Sequence, residues 1–125
     1  NQSFKPFPSG ALGVRYSKIT LTAAPNAADV YKMVDVYAGE TVHNVVIKSS
    51  DLDGGTGLVW GVGDGDDADY YIAASTAGQD GSADHMDVNV CPKTYSADDT
   101  IDITCEVDPG SDVATGTLEI WITVA

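Results

Sequence analysis

The sequence predicts an all-β fold, an antiparallel β-sandwich of jelly-roll type with an extended N-terminal arm. Three observations carry that reading. Short β-branched and aromatic runs recur between turn-rich breaks, two C-terminal segments alternate apolar and polar residues, and no stretch repeats apolar residues at helical spacing. A chain of 125 residues can bury about two thirds of its unfolded surface, enough for one core and too little for two.

Residues 1–17 hold Pro6, Pro8, Gly10 and Gly13 with Phe4, Phe7 and Tyr16 between them. Prolines pin φ and bias the preceding residue toward extended geometry, so this segment reads as an arm without regular structure. Residues 18–125 form the sandwich. Strands are expected over 18–22, 29–36, 41–49, 57–63, 70–74, 86–90, 100–107 and 117–125, with turns at 25–26, 38–39, 53–55, 63–66, 78–82 and 108–110. The nearest approach to a helix, 23–29, is short and broken by Pro25. Eight strands without a βαβ rhythm pack as two antiparallel sheets.

The last two strands can be given faces. Leu118, Ile120, Ile122 and Val124 share one side, and Ile101, Ile103, Cys105 and Val107 share another; both rows are expected in the core. The opposite side of the last strand carries Thr117, Glu119, Trp121 and Thr123. A tryptophan buries about 200 Å² when covered, so its place among polar residues predicts an oligomer contact. Cover by the chain's own arm or a loop is the simpler alternative.

Charge excludes several functions. The net charge is −13, and nucleic acids and anionic membranes are bound chiefly through lysine and arginine, so neither is an expected partner. Residues 1–50 hold Lys5, Arg15, Lys18, Lys32 and Lys48 against Asp29, Asp35 and Glu40, a balance of +2, whereas residues 51–125 hold Lys93 alone against sixteen acids, a balance of −15. Such asymmetry predicts two faces with different neighbours unless the fold interleaves the halves.

No nucleophile-elbow, paired-carboxylate or H-x-x-x-H pattern is present, and an enzyme is not expected. His85, near Asp84 and Asp87, reads as part of a solvated turn, and His43 as a half-buried strand residue. Six carboxylates lie in residues 51–69. Hard cations bind oxygen clusters held by glycine-rich turns, which makes Asp64, Asp66 and Asp69 candidate Ca²⁺ ligands. Ala68 and Ser75 stand where an EF-hand loop needs an oxygen ligand and a bidentate glutamate, so solvated acidic loops are the preferred reading, with no cofactor. Cys91 is out of phase with Val88 and Val90; a bridge to Cys105 would need a bulge, and two independent thiols are preferred. Trp60, Tyr70, Tyr71, Tyr95 and Trp121 suggest a sugar-stacking platform, but Trp60 shares the parity of Leu58 and Val62, which points inward.

Residues 29–49, then Gly61-Val62-Gly63-Asp64-Gly65-Asp66, then Tyr95-Ser96-Ala97-Asp98-Asp99-Thr100-Ile101-Asp102-Ile103-Thr104, and finally Gly116-Thr117-Leu118-Glu119-Ile120-Trp121 form a pattern. It resembles small virion structural proteins of tailed bacteriophages over residues 29–125. The resemblance implies a β-sandwich on the particle, in the form of a capsid decoration or cement protein set as homotrimers on the outer capsid surface, with the major capsid protein as partner. A tail or fibre module fits the same pattern, and composition alone also suits a carbohydrate-binding module. The arm lies outside the resemblance, and its role rests on physical grounds. Phe4, Phe7, Leu12 and Tyr16 are costly to leave in water and cannot form a core alone; flanked by Lys5 and Arg15, they are expected to bury against an acidic, grooved surface of the capsid or of an adjacent subunit.

Overall fold

The computed structural model describes residues 12–125. Strands account for 52% of the described residues and helix for 6%, as the sequence pattern requires. One sheet contains β1 (Gly13–Leu21), β3 (Thr41–Ser49), β6 (Ala83–His85), β7 (Lys93–Thr94) and β9 (Gly116–Val124). The other contains β2 (Val30–Val36), β4 (Val59–Gly63), β5 (Ile72–Ser75) and β8 (Asp99–Val107). The strand orders are β1-β9-β3-β6, with β7 also on β3, and β2-β8-β4-β5. Pairing is nested: β1 with β9, β2 with β8, β3 with β6 and β4 with β5, all antiparallel. One long hairpin rolled upon itself gives that order, which is a jelly roll.

Period-two alternation places the core between the sheets. Leu118, Ile120 and Ile122 of β9 are fully buried against Val42, Val45 and Ile47 of β3, and face Ile101, Ile103, Trp60 and Val62 of the second sheet. A bulge between Lys32 and Val34 lets the consecutive Met33 and Val34 both enter the core. Gly63 ends β4 where a Cβ would lie 2.0 Å from the Asp67 carbonyl oxygen, so only glycine lets the following acidic loop fold back on the strand.

Four expectations need correction. The first strand starts at Gly13 and takes in Arg15 and Tyr16, which composition had assigned to the arm; its partner β9 supplies a ladder that outweighs the nearby glycines. No strand spans 86–90. Met86 is buried, and Val88–Val90 form a 3-10 turn whose cap is Asp87, its carboxylate accepting the Asn89 N–H at 2.9 Å. Val107 is 48% exposed, because the ladder shifts register between Val59 and Trp60 just as β8 leaves the sandwich. One helical turn, α1 (Ala77–Asp80), occupies part of the expected 78–82 turn and is closed by Gly81 at φ 75°.

Candidate interaction surfaces

The outer face of the first sheet is set by strand register. Tyr16, Trp121, Val46 and His85 stand side by side on β1, β9, β3 and β6. The Tyr16 and Trp121 rings lie 5.0 Å apart at 44°, and the Tyr16 hydroxyl donates to Glu119 at 2.6 Å. That bond raises the phenol's pKa. The next row reads Lys18, Glu119, Lys48. Leu12 and Val14 extend the apolar side of β1 and are 62% and 68% exposed. Trp121 itself is half-buried, and Tyr16, a residue the sequence assigned to the arm, supplies part of its cover, as the simpler alternative expected. Although the jelly roll interleaves the two halves of the chain, β9 brings only one acid to this face, and the cations of β1 and β3 flank it.

Arg15 points the other way. Its guanidinium forms a two-pronged pair with Glu40, donates to the Asp35 carbonyl at 3.0 Å and lies 5.5 Å from the Tyr37 ring centre. The Glu40 carboxyl is lowered by that hydrogen bond. Arg15 thus ties β1 to the turn between β2 and β3. Phe4, Lys5 and Phe7 lie outside the described residues.

The acidic loops divide into structural hubs and free rims. Asp64 is buried and accepts from Lys93 Nζ at 2.5 Å, Tyr95 OH at 2.7 Å and the N–H groups of Asp66 and Asp67 at 3.0 Å. Burial alone would raise this carboxyl, but the Lys93 and Tyr95 bonds outweigh it and hold the group below its ordinary value. Tyr71 and Tyr95 share a 2.7 Å hydroxyl contact, and burial pushes both phenols up. The Lys93 ammonium also lies 4.3 Å from the Tyr70 ring centre and 4.9 Å from that of Tyr95.

The expected trio of Asp64, Asp66 and Asp69 is not what converges. Carboxylate oxygens of Asp64, Asp66 and Asp99 come within 4.8 Å of one another, while Asp69 turns to Asp67, whose hydrogen bond raises its pKa. Asp99 reaches the site through its register on β8, and its oxygens accept the Gly65 N–H at 3.2 Å. Lys93 already supplies the positive charge opposite Asp64, and the Asp99 oxygens accept the Gly65 N–H, so a cation among these carboxylates would have to compete with both.

Asp53, expected in a solvated loop, is 1% exposed. Its carboxylate accepts the N–H groups of Gly55, Gly57 and Leu58 at 2.7 Å, Gly110 at 3.0 Å and Ser111 at 2.9 Å. Burial opposes the charge, yet these bonds hold the carboxyl far below its ordinary value and clamp the 53–58 loop to the 108–112 loop. An aspartate preceding Gly-Gly-Thr-Gly was the available signal, since glycines let several N–H groups converge.

Trp60, Tyr71 and Tyr95 are buried, so the five aromatics form no exposed platform. Cys105 is buried and Cys91 half-buried, both as free thiols. His43 is half-buried on β3, as expected; His85 is exposed at the end of β6 instead of lying in a turn.

No family model matches this chain, and no curated protein matches it either. Solved structures do. A chain of the cyanophage Pam1 capsid asymmetric unit superposes with a TM-score of 0.85 at 22% identity, covering 99% of this chain and 91% of that one. A chain in the capsid of Ralstonia phage GP4 gives 0.82 at 20% identity, over 98% and 90%. A chain in the acidic stable capsid structure of Helicobacter pylori bacteriophage KHP30 gives 0.63 at 13% identity, over 90% and 87%. The fold is that of jelly-roll chains found in bacteriophage capsid structures. The virion-protein motifs read from the sequence therefore have a counterpart in the whole backbone path.

Proposed function

We propose that this chain is a bacteriophage capsid decoration, or cement, protein. In this reading it is a non-enzymatic homotrimer on the outer surface of the virion, where it binds the major capsid protein and bridges neighbouring capsid subunits. The supporting observation is the outer face of the β1-β9-β3 sheet, where Leu12, Val14, Tyr16 and Trp121 form an apolar band beside Lys18 and Lys48. On a chain of net charge −13, this face sets two lysines beside exposed apolar side chains that gain by being covered. Three copies of this face joined in one trimer bind a shell together, and that avidity offsets the entropy of ordering each contact.

Titration onto shells prepared without the protein tests this reading. Saturation at a fixed copy number, with shells more resistant to heat, is expected. Deleting residues 1–11 leaves every described strand in place and should abolish decoration. Full occupancy by the truncated protein would leave attachment to the outer face of the sandwich alone, and failure of the intact protein to bind shells would overturn the assignment.

A further inference from the structure

On one side of the sandwich β5 ends one sheet and β6 ends the other, and the Asp87 N–H donates to the Tyr71 carbonyl at 3.3 Å across them. Between these edges lies a groove of ≈ 370 Å³. Buried Ile72 and half-buried Tyr70 and Val90 give it an apolar floor and wall, and exposed Asp69, His85 and Asp87 line it with half-buried Asp84 as a polar rim. The wall is fixed, since the Tyr70 hydroxyl donates to the Val90 carbonyl at 2.9 Å. Among the described residues the ion pairs are Arg15–Glu40 and Lys93–Asp64, so none of the three rim carboxylates has a cation partner there.

We infer that this groove is the socket for the Phe4-Lys5-Pro6-Phe7 segment of a neighbouring copy. The segment offers what the groove lacks: a cation for the rim and rings for the apolar wall and floor. Position supports the same pairing. The described chain begins at Leu12 beside β1, at one edge of the first sheet, and the groove lies beyond β6 at the other edge. The start of β1 and the groove therefore lie at opposite edges of one sheet, so a contact between them joins identical copies head to tail, and such contacts form a ring when the rotation closes. Four residues separate Phe7 from Leu12, and the five chain steps between them reach about 17 Å when extended, enough to cross to an adjacent subunit packed against β1. The inference rests on the trimeric reading given above and names what would hold the ring together.

Charge reversal in the full chain tests it by sedimentation equilibrium. Lys5→Glu should weaken self-association about tenfold, as should Asp69→Lys combined with Asp84→Lys, because each turns an attraction into a repulsion. If the double rim variant lowers the melting temperature, Asp69→Lys alone serves, since Asp69 is exposed. Mixing the two variants is decisive. In a ring of three, two of the three contacts then become complementary, and the average mass should rise above that of either variant alone, though not to that of the wild type. No rise on mixing, with association recovered when all the changes are placed in one chain, would mean that the segment docks in its own groove and would overturn the inference. Association untouched by Lys5→Glu, or a wild-type monomer at high micromolar concentration, would overturn it as well. Decoration of shells is scored separately, so a failed socket is distinguishable from a failed capsid assignment.

Discussion

The two sides of β9 put adjacent residues to opposite uses. Ile120 is fully buried between the sheets, whereas Trp121, one residue on, faces outward beside Tyr16, Glu119 and Val46. Inward side chains gain from a permanent, dry environment and carry stability. Outward ones gain the rest of their burial only when something covers them. The difference teaches that the alternation securing the fold also leaves a prepared surface on its reverse.

Ile120→Ala should show the larger stability loss, about 2–5 kcal/mol from lost transfer energy and the cavity left behind. Urea unfolding should record it as a lower midpoint at unchanged slope. Trp121→Ala should cost less than about 1.5 kcal/mol in the same assay, since Tyr16 gives only partial cover, yet it should weaken binding to shells. Equal losses for the two variants would erase the distinction between the faces.

The acidic loops allow a similar contrast. Asp64→Asn should cost about 2–3 kcal/mol, because Lys93 and the Tyr95 hydroxyl lose a charged acceptor in a buried network. Asp66→Asn, at an exposed position, should stay within about 0.5 kcal/mol. The sign with pH follows from the lowered Asp64 carboxyl. Its contribution is complete above the ordinary carboxyl value of 3.8 and is lost as pH falls through the lower folded value. Wild type should therefore lose stability below about pH 4 more steeply than Asp64→Asn. Parallel acid limbs for the two proteins would contradict this. Millimolar calcium should leave the melting temperature where a chelator leaves it, since Lys93 already offsets the Asp64 charge.

How much of this was legible depends on distance along the chain. Alternation in residues 100–107 and 117–125 is a local signal, and it gave β8, β9 and the inward row from Leu118 to Val124. The nested order of the strands was legible only as a class, because pairing β1 with β9 joins residues about a hundred positions apart. Asp99 was missed as the neighbour of Asp64 for the same reason, while Asp69 was chosen by proximity in sequence. Residues 86–90 misled because Met-Asp-Val-Asn-Val alternates like a strand, yet an aspartate cap offers the backbone a competing hydrogen bond. Asp53 looked solvated because a loop 57 residues away supplies part of its cage. Trp121 was found by parity, but its neighbour Tyr16 was assigned to an arm, and the row they share became visible only with the register.

The smallest stability effect belongs to the cations of the outer face. Lys18 and Lys48 are exposed and flank Glu119 in one row, so Lys18→Glu and Lys48→Glu should each move stability by no more than about 0.5 kcal/mol. Their effect on attachment should be of another kind. Most of the chain's charge is negative, and these lysines keep one apolar face from being repelled by an acidic partner. Replacing them should slow association more than it speeds dissociation, because exposed charges at the edge of a contact act chiefly in the encounter. Screening should mask the change: the deficit should be largest at low ionic strength and shrink as the Debye length falls to about 8 Å near physiological salt. Binding kinetics on immobilised shells across a salt series measure this directly. A deficit independent of salt would make the lysines part of a buried contact, whereas no deficit at any salt would assign attachment to another face and leave the row of Tyr16 and Trp121 as reinforcement of the sheet.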